Sequence, residues 1–453
     1  MGKLLNFKVM MIASLILLLM IPLLMIRGVI SERTLYRDQA RQDIAQSWTG
    51  AQKLLGPLLV VPYSEEETRS LWDENLKSYK EETYISRSHL YLLPDQLSVN
   101  AKVATENRSR GLYSLPVYTS EMRLEGVFDT KPLVELAARK GGRITIGNAY
   151  LAVVVDDIRG VVVQPELNWR GVTTRFVSGS AIDNMESGMH AMVGKLSGDV
   201  VERHPFLFDM SMHGMETIEF SPVGNSTEVT MEAAWPHPSF IGRYLPAERT
   251  IERSSFNAQW RVSSFSSDMP RIVSECAQGN CQEFSANTFG VSLVNPVDIY
   301  QQTERAVKYA LLFVLLTFVA FFLFEVMKQL RLHPMQYLLV GAALVLFYLL
   351  LVSLSEHVAF HWAYLSAALS STLLIGIYVS GVLASAARGM AITGGLALLY
   401  TMLYVILRSE DNALLMGSLL IFAVLAGVMV VTRRFDWYRI GNHGAENSVA
   451  VAK

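Results

Sequence analysis

Glu356, His357 and His361 fall within the run Ser355-Glu356-His357-Val358-Ala359-Phe360-His361. If a helix begins here, the two imidazoles lie one turn apart on one face with a carboxylate beside them. Imidazoles at that spacing can share a metal ion, and an acidic neighbour can orient one of them. No Glu directly follows the first His in the manner of the zinc-protease helix, so hydrolytic chemistry is not indicated and no metal or other cofactor is expected. The plainer reading is an interfacial hydrogen-bond cluster that closes one apolar segment and opens the next. This cluster remains the strongest candidate functional group of the C-terminal third.

Two other groups of residues invite a chemical reading. Trp235, His237, Phe240 and Tyr244 belong to a Pro-rich aromatic segment, Trp235-Pro236-His237-Pro238-Ser239-Phe240, that runs on to Pro246 and Arg249. Rigid prolines and large aromatics suit a partner surface, and they equally suit a loop that plugs the end of a sheet. Cys276 and Cys281 are the only cysteines, with Ala-Gln-Gly-Asn between them. Gly279-Asn280 favours a turn, so a local disulfide in a hairpin is expected in an oxidising compartment. Nucleophile-elbow, phosphate-loop and dinucleotide-glycine patterns are not found, and no enzymatic activity is expected.

The elements that must position these groups are set by where charge is missing. Six stretches lack Asp, Glu, Lys and Arg: 9–26, 309–324, 334–355, 358–387, 389–407 and 412–432. Most approach the roughly 20 apolar residues that a helix needs to cross a bilayer. The short second stretch is flanked by Arg305, Lys308, Glu325 and Lys328, whose long side chains can snorkel, so a helix over about 304–327 is predicted. Glu325 can be read as a proton-relay carboxylate, but at the cytoplasmic edge, with Lys328 and Arg331 nearby, an interfacial ion pair is the expected role. In the fourth stretch Ala368, Thr372, Gly376, Ser380 and Ala384 recur every four residues, a small-residue face suited to close helix packing or, more sharply, to a lipid or substrate groove.

Basic residues favour the cytoplasmic side. Lys3, Lys8, Lys328, Arg331, Arg388, Arg433, Arg434 and Arg439 then place both termini inside and residues 31–303 outside. The first stretch reads as an uncleaved anchor, since Arg27–Glu32 offers no signal-peptidase-like site. Trp362, Tyr364, Trp437 and Tyr438 fall where aromatic belts belong. With about eight residues before the first span and about twenty after the last, no cytosolic catalytic domain is expected. The expected domains are an anchor (1–30), an outer β-rich domain (31–303), a five-helix membrane bundle (304–434) and a short tail (435–453). The net charge of −2 gives no reason to expect nucleic acid as a partner.

The outer segment reads as mostly β. Alternating or β-branched runs recur at Gly56–Tyr63, Thr83–Leu93, Gln96–Ala104, Ala149–Val155, Pro205–Met212, Glu216–Ser221, Thr227–Ala233, Phe256–Ser263 and Phe284–Leu293, punctuated by turn residues. Lys131–Lys140 is the one clear helical interruption, capped by Asp129 and Thr130 and stopped by Gly141-Gly142. Residues 31–55 read as a helix leaving the membrane. A sandwich or a large twisted sheet is predicted. The fold class is therefore an α-helical integral membrane protein of six spans, with a large β-rich periplasmic domain between the first and second.

Three long stretches carry a resemblance: Gly56-Pro57-Leu58-Leu59-Val60-Val61-Pro62-Tyr63, Trp235–Pro246 with Phe256–Trp260, and Leu349–Tyr364. In these, and in the order of anchor, outer domain and bundle, the chain resembles the CreD family of bacterial inner-membrane proteins. The resemblance implies an envelope protein under a two-component regulatory system, tied to envelope integrity and to tolerance of colicin-type and cell-wall stress. It implies no catalytic residue or cofactor. The expected partners are membrane lipids and envelope proteins, and a homo-oligomer is compatible with the sequence. The alternative is a transporter or lipid-handling protein that uses the bundle.

Overall fold

The computed structural model describes residues 2–73, 78–140, 143–293, 299–328, 332–383, 385–408 and 413–433. The chain opens with helix α1 (Gly2–Ser47), followed by β1 (Gln52–Asp73), β2 (Ser78–Leu92), β3 (Pro94–Arg110), β4 (Tyr113–Asp129) and α2 (Lys131–Lys140). Next come β5 (Ile144–Ile146), β6 (Asn148–Val155), β7 (Glu166–Trp169), β8 (Val172–Arg175), β9 (Val177–Ser178), β10 (Gly188–Lys195) and β11 (Arg203–Met215). After β12 (Thr217–Phe220), β13 (Ser226–Ala233), β14 (Ser239–Gly242), β15 (Glu248–Ile251) and β16 (Phe256–Ser263) lie α3 (Ser264–Ser267), α4 (Met269–Ala277), α5 (Gln282–Ala286) and β17 (Phe289–Ser292). The chain closes with α6 (Ile299–Lys328), α7 (Pro334–Ser355), α8 (Phe360–Val382), α9 (Ala386–Arg408) and α10 (Ala413–Thr432).

Two compact units result: Met1–Asp38 with Val297–Lys453, and Gln39–Pro296. The first is helical. Among the described residues α1, α6, α7, α8 and α9 are long and apolar enough to cross a membrane, and α10 is a shorter apolar helix over Leu415–Val430. Leu19, Leu23, Ile26 and Ile30 of α1 are buried at 4-3-4 spacing, one stripe of a helix, in the same apolar cluster as α6 to α9. The anchor therefore packs as a member of the helical unit. At Gly341 on α7 a Cβ would come within 2.3 Å of Leu19 Cδ1, so glycine is what allows the two helices to approach so closely.

The second unit holds two sheets over one apolar core. The nine-stranded sheet runs β14-β17-β12-β1-β6-β10-β9, with β2 and β5 also paired to β1; the eight-stranded sheet runs β15-β16-β13-β3-β4-β11-β7-β8. Period-2 alternation explains the second sheet: Val99, Ala101 and Val103 of β3 are buried while Asn100, Lys102 and Ala104 face water. Strand β6 is instead buried from Ala149 to Val155, as a central strand covered on both faces must be. The register of β1 on β6 shifts between Leu55 and Leu58. Gly56 at that bulge has φ +119, and a Cβ there would meet Ala152 O at 3.0 Å, so only glycine fits.

Several local expectations change. The helix read over residues 31–55 ends at Ser47, and Leu54 and Leu55 already lie in β1, where Ser47 and Gly50 have broken the helical pattern. Phe284–Leu293 is not one strand: α5 precedes β17. The cysteines do not face each other across a hairpin: Cys276 lies in the last turn of α4 and Cys281 is the N-cap of α5. The Asp129 carboxylate does cap α2, accepting from Lys131 N–H at 2.7 Å; Gly141 and Gly142 lie outside the described residues, as do Arg331, Ala384 and the segment 434–453 with Arg434, Trp437, Tyr438 and Arg439.

Candidate functional site

The turn between α7 and α8 places Glu356, His357 and His361 differently from a shared helical face. Glu356 is the C-cap of α7, and α8 begins only at Phe360. His357 therefore lies in the turn, its Nδ1 3.2 Å from Ser353 O, while His361 lies in the first turn of α8, its ring 5.3 Å from that of Trp362. Both imidazoles are exposed. The Glu356 carboxylate turns away from them: its side chain is 8% exposed and meets the Arg33 guanidinium of α1 at 3.4 Å. The Tyr300 hydroxyl of α6 donates to the same carboxylate at 3.4 Å. No group of three His, Cys, Asp or Glu suited to a metal occurs among the described residues.

Glu325 forms a second buried centre. Its carboxylate is 4% exposed and pairs with Lys8 Nζ of α1. It also accepts from the Tyr337 hydroxyl of α7 at 2.9 Å and from Leu332 N–H at 3.0 Å. A buried carboxylate is tolerable only when it is paired and its lone pairs are satisfied, and here three donors do so. The partner among the described side chains is Lys8, across the helical unit; the side chains of Lys328 and Arg331 lie outside those described. Neither Lys8 nor Arg33 carried a local signal for these pairings, because basic residues flanking a span read first as topology determinants.

The small-residue face of α8 is occupied. A Cβ on Gly376 would come within 2.4 Å of Thr393 Oγ1, and one on Gly389 within 1.8 Å of Ser380 Oγ, so α8 and α9 touch backbone to side chain along this face. A Cβ on Gly394 or Gly395 would meet open space. Deeper in the unit, Ser371 Oγ lies 3.1 Å from Tyr400 Oη, and Tyr364 donates to Tyr400 O at 2.6 Å. These bonds satisfy hydroxyls that have no water to turn to.

In the β unit the aromatic side chains of the Trp235 segment pack on the core, Trp235 buried and Phe240 and Tyr244 half-buried against it. Trp235 is buried and donates through Nε1 to His237 O at 3.0 Å. Phe240 meets Phe256 and Trp260 edge-on at 6.0 and 5.8 Å, and Tyr244 meets Phe289 edge-on at 6.0 Å. Phe256 and Trp260 belong to the eight-stranded sheet and Phe289 to the nine-stranded one, so this segment closes the core between the sheets. His237, Ser239, Gly242, Arg243 and Leu245 of this segment lie at the surface. Cys276 and Cys281 are joined by a disulfide.

The junction where α1 enters the β unit is the best-built polar site there. Arg41 donates to the Glu216 carboxylate at 2.7 Å. Glu216 is buried at the step from β11 to β12, with φ +62, a conformation that costs energy for a residue with a side chain. Trp48 is sandwiched: the His213 ring stacks at 4.0 Å and Arg108 lies 3.6 Å from its ring centroid. Burial and the Arg108 cation hold the His213 imidazole below its ordinary range. Arg110 pairs with Asp43 at 3.0 Å, and Ile44 packs with Val117 and Met215. Elsewhere in the unit, an open groove of about 520 Å³ crosses the outer face of the eight-stranded sheet, lined by Lys102, Glu121, Glu232, Glu252 and Asn257 among others.

The sequence profile described as Inner membrane protein CreD matches residues 4–438. The Inner membrane protein CreD of Escherichia coli (strain K12) is 38% identical over 427 residues, covering 93% of this chain and 91% of that protein. Among solved structures, a mutant M1 zinc metallopeptidase of Deinococcus radiodurans bound to a Tyr-Ser-Ala substrate aligns with 38% of this chain and 39% of its own, at 9% identity and a TM-score of 0.18. The M1 zinc metallopeptidase from the same organism aligns with 38% of each chain at 8% identity and a TM-score of 0.17. Likenesses that low carry no argument. The profile match and the identity to the bacterial relative show that the chain belongs to the CreD family of inner membrane proteins, and it is a multi-pass protein of that membrane.

Proposed function

We propose that this protein is a non-enzymatic, six-span envelope factor whose β unit stands in the periplasm and acts on envelope proteins to support envelope integrity under cell-wall stress. The observation that carries this reading is the size and position of the β unit, a two-sheet body inserted between α1 and α6. Its placement outside rests on the basic residues of the opposite loops and on the disulfide, which suits an oxidising compartment. Asp157 and Asp209 are held below the usual carboxylate range by hydrogen bonds from Arg159 and Arg123, which are structural partners. The transport reading needs a path along the small-residue face of α8, and α9 packs against that face at Gly376 and Ser380.

Photo-crosslinking from His237 and from groove positions such as Asn257 tests the proposal in intact cells under cell-wall stress. Capture of a defined envelope protein, abolished by a second substitution in the same patch, is the expected result. Capture of a lipid or cell-wall precursor on the helical unit, with nothing on the β unit, would overturn it.

A further inference from the structure

Strand register organises the groove on the outer face of the eight-stranded sheet. Lys102 of β3 lies opposite Glu121 of β4 on one side and opposite Glu232 of β13 on the other. Asn257 of β16 lies opposite Glu232, and Thr250 of β15 lies opposite Asn257. These exposed polar side chains therefore stand in one row across the strands, spaced by about 4.8 Å per strand. Beside the row the outward side chains are short: Ala104 lies opposite Thr119, and Ala234 lines the same groove. Long side chains next to short ones leave a trough that crosses the strands and reaches β15, the edge of the sheet.

The charges at the middle of the row are unspent. Opposite charges facing each other across two strands ordinarily interact. Among the described residues, however, Lys102 and Glu121 make no ion pair or hydrogen bond with each other or with any other side chain. Glu232 accepts from the Asn257 amide at 3.1 Å, and Glu252 from the Ser255 hydroxyl at 3.3 Å, both neutral donors. The groove is thus lined by three carboxylates, Glu121, Glu232 and Glu252, against the one ammonium of Lys102. Complementarity calls for an occupant of net positive charge.

Spacing narrows the occupant further. Glu121 and Glu232 stand two strands apart, about 10 Å. A chain in the polyproline-II conformation returns to the same face every three residues, after about 9 Å, and needs no hydrogen bond from the sheet beneath it. Two cations three residues apart on such a chain meet both carboxylates at once. We propose that the trough binds an extended basic segment of a partner protein, with Glu121 and Glu232 taking two cations three residues apart and Lys102 taking a carboxylate or carbonyl between them. The proposal rests on the function proposed above, in which the β unit acts on envelope proteins, and names the chemistry of the segment that it takes.

Fluorescence anisotropy on the full chain in phosphatidylcholine nanodiscs tests it. One labelled probe carries two lysines three residues apart in a Pro/Ala background, and a second carries glutamates in their place. The lysine peptide is expected to bind and the glutamate peptide is not. Glu121→Gln and Glu232→Gln are each expected to weaken binding about fivefold, the upper range for an exposed charge pair. Glu166→Gln removes a carboxylate from β7, away from the trough and already paired with Arg175, and is expected to leave binding unchanged. No binding of the lysine peptide, equal binding of both peptides, or equal losses in Glu121→Gln and Glu166→Gln would overturn the inference. The function proposed above fails separately. An envelope protein captured in cells from His237, with capture untouched by Glu121→Gln and Glu232→Gln together, would leave that function standing and overturn the trough as its site.

Discussion

The two units handle charge in opposite ways. In the β unit ion pairs are numerous and most are wet, Glu216 with Arg41 at 8% exposure of the carboxylate being the dry exception: Arg123 and Asp209, paired at 2.8 Å, are 56% and 66% exposed. In the helical unit the two pairs that join one helix to another are dry on the acidic side, with Glu325 and Glu356 at 4% and 8% exposure, while the local pair Glu304–Lys308 is wet. A solvated pair gains little over its separate hydration, whereas a buried carboxylate stripped of its partner is left uncompensated. The β unit thus depends on apolar packing between sheets, and the helical unit on apolar packing plus two charges that decide which helix lies against which.

That contrast can be broken at its strong end first. Glu325→Ala is expected to destabilise the helical unit by about 3–5 kcal/mol, because Lys8, Tyr337 and Leu332 all lose their acceptor. Trp260→Ala in the β unit costs a similar amount, about 3–5 kcal/mol, through a cavity rather than a charge. Denaturant unfolding of the full chain, followed separately by far-UV circular dichroism and Trp fluorescence, distinguishes the two. Replacing Cys276 and Cys281 by Ser is expected to cost the β unit roughly 2 kcal/mol, the entropy of a very short loop; non-reducing and reducing melts check it.

A smaller effect sharpens the comparison through pH. Burial and the Arg170 cation hold the His204 imidazole below its ordinary range, about 6.5. The folded β unit therefore keeps His204 neutral at a pH where the unfolded chain binds a proton. Stability on this account is full above about pH 6.5 and declines as the pH falls below it. His204→Phe, which keeps the stack on Trp169, should flatten that decline in melts between pH 7 and 5. Smallest of all, Arg123→Ala should cost well under about 1 kcal/mol; a loss near that of Glu325→Ala would erase the distinction between wet and dry pairs.

The sequence made some of this legible and some not, for physical reasons. Thr227–Ala233 alternates cleanly and forms β13, and the end signals around Lys131–Lys140 fix α2. Charge-free runs announce α7 to α10 because no charge is tolerated in those positions. β4 was hidden, since Pro116 and Gly126 interrupt its alternation while its pairing with β3 and β11 overrides both. The partners of Glu325 and Glu356 lie 317 and 323 positions away in Lys8 and Arg33, and no local pattern encodes such a pairing. The aromatic segment at Trp235 was legible as special, but composition alone does not say whether aromatics face the core or a partner.

The account turns most directly on where the β unit stands. Leu245, 70% exposed, changed to Cys would carry the only free thiol, since Cys276 and Cys281 are paired. A membrane-impermeant thiol reagent applied to cells with an intact inner membrane should label it fully. Labelling that appears only after that membrane is opened would place the β unit in the cytoplasm and contradict the proposed function.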